Sequence, residues 1–214
     1  MAVIIDDIII GMGVYLAYEG VVWGIDKFRH WRRGKKYIDI LVHIDLTEED
    51  KQLVQKCREI MGQNFPDGIV NRMKGMSPTE RAQLFRDLVK ELNSVYGVEI
   101  SDIAFLTNNE IGSGVYGYFD NSNNSIRFNA DLLNTDDPNI LHEMVDTIFH
   151  EMRHALQFRA VTDSSCNFGS EEQRQKWALN FVNYISARVD FAFYQQQVIE
   201  DDARQFAAEV IKGF

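Results

Sequence analysis

The chain has 214 residues and a formal net charge of −10, with Asp and Glu outnumbering Lys and Arg 32 to 22. That balance excludes general nucleic-acid binding, which needs a basic surface to meet phosphates. A hydrophobic share of 45% supports one domain with a real core. Cys57 and Cys166 lie far apart and outside any C-x-x-C pattern, so they read as buried thiols compatible with a reducing cytoplasm.

Residues 8–25 form an apolar run interrupted only by Glu19, with Gly13, Ala17, Gly20 and Gly24 on one helical face. Lys27, Arg29, Arg32, Arg33, Lys35 and Lys36 follow at once. This segment reads in two main ways, with a strand or mixed structure as a third. It is a membrane-associated stretch over residues 8–36 whose C-terminal side faces the cytoplasm, or a helix packed on the chain or on a second copy of it. It is not a conventional signal peptide, because Asp6 and Asp7, not basic residues, precede the apolar run. Tyr37–Ile44 alternates partially and suggests a strand, which completes a first segment over residues 1–44.

Thr47 caps a predicted helix over Glu48–Gly62 that buries Leu53, Val54, Cys57 and Ile60. Ser77-Pro78-Thr79-Glu80 is a capping box with Pro at the first helical position, and it opens a helix to Tyr96 with Leu84, Leu88, Val89 and Leu92 inward. No Pro-rich linker follows, so residues 45–97 are expected to form a helical layer packed on residues 98–214. His30 and His43 have no metal-ligand spacing and read as structural.

A strand region begins at Gly97–Ile100. Gly114–Phe119, a polar turn at Asp120–Asn124, and Ser125–Asn129 then read as a β-hairpin. Arg127 and Asn129 are expected on a cleft wall. Asp137 and Pro138 start a helix that runs to about Phe158, with Ile140, Leu141, Met144, Val145, Ile148, Met152, Ala155 and Leu156 on its buried face. Beside that face runs a polar row of Asp146, Thr147, His150, Glu151, His154 and Gln157. Within it His150-Glu151-Met152-Arg153-His154 reads H-E-x-x-H. Residues four apart share a helix face, so His150 and His154 can hold one metal ion while Glu151 serves as general base toward a water. A catalytic zinc needs a third protein ligand. No His follows His154, so the ligand must be acidic; Asp163 lacks a helix of its own, whereas Glu200 lies on a helix striped by Ile199, Ala203, Phe206 and Val210.

Together, H-E-x-x-H and the later Glu200-x-x-Ala203-x-x-Phe206-Ala207 resemble the gluzincin metallopeptidases, especially their small members. The likeness covers residues 100–212. It implies Zn2+ on His150, His154 and Glu200, catalysis through Glu151, a protein or peptide substrate, and a hairpin strand on the cleft rim that pairs with extended substrate. The expected fold is therefore α+β, mainly helical and zincin-like, with a small antiparallel sheet on the H-E-x-x-H helix. One departure stands out. Larger gluzincins often carry an aspartate four residues after the glutamate ligand to orient a histidine, and here that position is Arg204, which leaves Asp146 or Asp201 for the task. Tyr184, Tyr194, Arg204 and His142 are the candidate oxyanion donors, with Tyr194 placed where the chain enters the Glu200 helix. The competing readings are a non-catalytic zinc-binding interaction protein and a membrane-associated adaptor whose H-E-x-x-H is accidental.

Overall fold

In the computed structural model, residues 46–112, 114–185 and 190–214 are described. The apolar run, its basic flank, the strand expected at Tyr37–Ile44, His30 and His43 lie outside them. Helix α1 (Glu48–Asn64) starts at Thr47, whose hydroxyl accepts from the Asp50 amide while Asp50 accepts from the Thr47 amide. After the short α2 (Ile69–Met73), α3 (Pro78–Tyr96) opens on the reciprocal Ser77–Glu80 box and ends at Gly97 with φ 64°, a left-handed cap that suits glycine. Both long helices begin where the sequence places them.

Strand β1 (Asp102–Leu106), a one-turn α4 (Asn108–Ile111), β2 (Gly117–Asp120) and β3 (Ser125–Asn129) build a three-stranded sheet in the order β1-β3-β2. β2 and β3 form the expected antiparallel hairpin, Tyr118 facing Arg127. β1, however, runs parallel to β3, Phe105 beside Phe128. The sheet is thus mixed rather than antiparallel. The reason is topological: β2 takes one edge of β3, and β1 enters on the other edge in the same direction as β3.

A 3-10 turn (Asp131–Asn134) leads to α5 (Pro138–Thr162), capped by the Asp137 carboxylate on the Asn139 and Ile140 amides. Helices α6 (Glu171–Val182), α7 (Phe191–Gln196) and α8 (Val198–Ile211) complete the described chain. Ser170 caps α6 by accepting from the Gln173 amide. α5 and α8 make the most extensive helix pair, α1 packs on α8, and α3 packs on α5. Arg58 on α1 donates to the carbonyls of Glu209, Val210 and Lys212, closing the end of α8.

One core joins both halves of the described chain. Cys57 and Met61 from α1, Leu88 and Leu92 from α3, Ile148 and Met152 from α5, and Phe206 and Val210 from α8 are all buried in it. Phe85 meets Phe128 edge-on at 5.3 Å, which seats α3 on the sheet. The sheet in turn lies against α5 at Gly117, where an added Cβ would fall 3.0 Å from Thr147 Cγ2 and 2.8 Å from the Arg127 carbonyl oxygen. Only glycine lets β2 lie this close to the polar row of α5. The protein is α+β and mainly helical. Among the described residues no helix is long and apolar enough to cross a membrane.

Candidate metal centre

His150 and His154 share a face of α5, and the start of α8 brings Glu200 up to them. The two Nε2 atoms lie 3.0 Å apart. Glu200 Oε2 is 3.4 Å from His150 Nε2, and Oε1 is 3.6 Å from His154 Nε2. Donors around a tetrahedral zinc at about 2.0–2.1 Å sit roughly 3.3 Å from one another, so these separations fit a single ion. Glu200 Oε2 strengthens that fit, because it is buried and accepts no well-formed hydrogen bond. A buried carboxylate oxygen in that condition is costly unless a cation meets it. Among the described residues this is the one group of three or more His, Cys, Asp or Glu side chains able to hold a metal. The imidazoles keep 15% and 12% of their surface while Glu200 keeps 3%, so the centre opens on the histidine side.

Small residues explain how α8 comes so near. Ala203 and Ala207 are fully buried one and two turns beyond Glu200. Glu200 itself is held from outside α8. The Tyr184 hydroxyl donates to Oε1 at 2.8 Å, and Tyr194 bonds to the same carboxylate. Burial, and then the Glu200 charge, push both phenols well above their ordinary range, so they stay protonated as donors. Tyr194 lies on α7, packed edge-on against Tyr184 at 6.3 Å, rather than in an open loop.

The charges are strongly coupled. Burial works against ionised Glu200, yet His154 and His150 hold it well below the usual carboxylate range. Burial likewise works against a charged His154, but Glu200 outweighs it and raises the imidazole to about 9. A proton and a divalent cation would therefore compete for one point, and a metal bound there would release protons. Glu151 sits in the same field. Burial raises its carboxyl, Glu200 adds to that, and the two histidines and the Phe119 amide oppose it. The Phe119 N–H on β2 donates to Glu151 Oε2 at 2.8 Å, so the strand that Gly117 admits fixes the carboxyl.

Other expected residues lie elsewhere. Arg204 donates to the Gln195 carbonyl and to Asp201, which spends its guanidinium away from the histidines. Asp201 is taken by Arg204 and Gln205. Asp163 caps the end of α5 and pairs with Arg159, far along the helix from His154. Asp146 and His142 are half-buried, one and two turns before His150. Asn129 does not line a cleft, since its amide is buried and donates to Asn108 Oδ1 and the Val115 carbonyl. Arg127 pairs with Asp102 across the sheet.

The support for His154 comes from Gln157, the last residue of the polar row, and from Asp202 and Arg153 behind it. His154 Nδ1 lies 2.9 Å from Gln157 Oε1. Gln157 Nε2 donates to the Ile199 carbonyl and to Asp202 Oδ2, both from α8. Asp202 takes Nε and Nη2 of Arg153, each at 2.8 Å, and Asp50 of α1 takes the same guanidinium at 2.7 Å. Arg153 also lies over the rings of Phe206, Phe168 and Trp177 at 4.8, 5.0 and 5.6 Å.

No protein-family model, curated protein or solved structure matches this chain.

Proposed function

We propose that the protein is a zinc-dependent peptidase of the gluzincin kind, with His150, His154 and Glu200 as ligands and Glu151 as general base. The observation that carries this reading is the convergence of two Nε2 atoms and a buried, unsatisfied carboxylate oxygen on one point beside Glu151. Zinc bound there would polarise a peptide carbonyl and bring the pKa of a water toward neutrality. The chain's own residues supply the rest. Glu151 takes a proton from the attacking water as the oxygen joins the carbonyl carbon, then returns it to the amine nitrogen as the C–N bond breaks. The Phe119 amide holds one Glu151 oxygen and leaves the other for this transfer. Burial that raises the Glu151 carboxyl also makes it a better proton acceptor. Tyr184 and Tyr194 donate to Glu200 and hold it toward the two histidines.

The test combines elemental analysis of purified protein with turnover of a quenched-fluorescent peptide library. The parent is expected to carry about one zinc per chain and to cleave. Glu200→Ala should lose most of the metal. Glu151→Gln should keep the metal and lose at least about 100-fold in turnover. A folded parent that takes up no zinc would overturn the reading, and a zinc-loaded parent whose turnover equals that of Glu151→Gln would reduce it to metal binding without catalysis.

A further inference from the structure

We propose that Gln157 is a positioning residue that sets the tautomer of His154, with Asp202 and Arg153 fixing the orientation of its amide. This rests on the metal-centre reading above and names the device that prepares one ligand for it. Arg204 is spent on the Gln195 carbonyl and Asp201, and the partner of His154 Nδ1 lies on α5 itself, one turn further along, at Gln157.

Donors and acceptors decide which way the Gln157 amide points. Gln157 is fully buried, and one end of its amide faces the Ile199 carbonyl at 3.0 Å and the Asp202 carboxylate. Both offer acceptors here, since each Asp202 oxygen already accepts from Arg153, Oδ2 from Nε and Oδ1 from Nη2. The NH2 group must therefore point to them; the reversed amide would set oxygen against two oxygens. Its carbonyl oxygen is left facing His154 Nδ1 at 2.9 Å, and an amide oxygen can only accept. Nδ1 must carry the proton. Nε2 then presents its lone pair toward His150 Nε2 and Glu200, which is what a ligand requires.

The chain of fixation extends inward. Arg153 is 0% exposed and tied to Asp202 and Asp50, each 2% exposed, so Asp202 has little freedom to turn. Three helices thereby converge on the orientation of one amide: α1 through Asp50, α5 through Arg153 and Gln157, and α8 through Asp202. Arg153 stands inside H-E-x-x-H, next to the histidine it helps to place.

The experiment uses the full chain and the variant Gln157→Met, which keeps volume and removes both polar ends. Zinc affinity is measured by competition with a chromophoric chelator, folding by circular dichroism, and the His154 tautomer by long-range 1H–15N correlation. The folded variant should bind zinc about 10–100-fold more weakly than the parent. In the parent, the His154 proton should reside on Nδ1 and exchange slowly with water. A merely structural role would lower the melting temperature and leave both the affinity and the proton position unmoved. Equal zinc affinity in a folded Gln157→Met, or a parent with the His154 proton on Nε2, would overturn the proposal. Should the variant fail to fold, the parent's tautomer decides. A parent that takes up no zinc sinks the peptidase reading, while its His154 tautomer, read well above the imidazole's pKa of about 9 where the second proton is lost, still tests this one.

Discussion

Among the described residues two arginines are buried, and their surroundings could hardly differ more. Arg81 on α3, 2% exposed, spends its donors on main-chain carbonyls: Met73 at the end of α2, then Leu133 and Thr135 before α5. Its counter-charge, Asp136, is 56% exposed. Arg153 on α5 has no such outlet. Its guanidinium meets two carboxylates that are buried with it, under a roof of aromatic rings. Arg81 satisfies carbonyls in a stretch with no ladder to take them, a task of backbone satisfaction. A wholly enclosed ion set is another matter, because apolar residues of similar volume often serve stability as well or better. What such a set can offer is a fixed arrangement, and the arrangement it fixes here reaches His154.

The largest expected effect follows from breaking the enclosed set by one member. Arg153→Met leaves Asp50 and Asp202 facing each other without a cation and should cost about 3–5 kcal/mol in urea unfolding. Replacing all three with Met and Leu should recover most of that stability yet leave zinc binding weakened; a triple variant with parental zinc affinity would end the distinction drawn between the two arginines. Arg81→Met should cost less, about 2–3 kcal/mol, since the carbonyls it abandons lie in a loop that water can partly reach. If Arg81→Met proved the more damaging, the enclosed charges would not be the more demanding feature. The smallest effect belongs to Asp136. Hydrogen bonds from Arg81 first, and from the Gly75 amide, hold its carboxyl below the usual range. Its contribution is thus fully present above the unfolded carboxyl value near 3.9 and is lost as pH falls through the folded value. Asp136→Asn should lower the melting temperature slightly at pH 7, with the gap to the parent closing in acid.

How much of this was readable follows the same division. The helices announced themselves through local chemistry: Thr47, Ser77 and Asp137 each cap a helix with groups two or three residues away. The hairpin at Asp120–Ser125 is equally local. The four residues of the centre could be nominated because H-E-x-x-H fixes three on one helix turn and the small residues Ala203 and Ala207 mark the close-packed face beside Glu200. The parallel pairing of β1 with β3 was not readable, because it depends on which edge of β3 the hairpin leaves open. Asp50 shows the limit most clearly. From sequence it is an ordinary residue in the first helical turn, and its capping role is real. Its second partner, Arg153, lies on a distant helix, and no spacing rule reaches that far.

The placement of the centre across α5 and α8 has a topological consequence. A metal held by His154 and Glu200 would tie together two points between which α6 and α7 must lie, turning that whole stretch into a closed loop. Cross-links of this span restrict the unfolded chain by roughly 3–5 kcal/mol in the chain-entropy account, and a ligand that binds only the folded form adds its own mass-action term. The same ion that would open a peptide bond would then act on its host as a clasp, with amide exchange in α6 slowing whenever it is fastened.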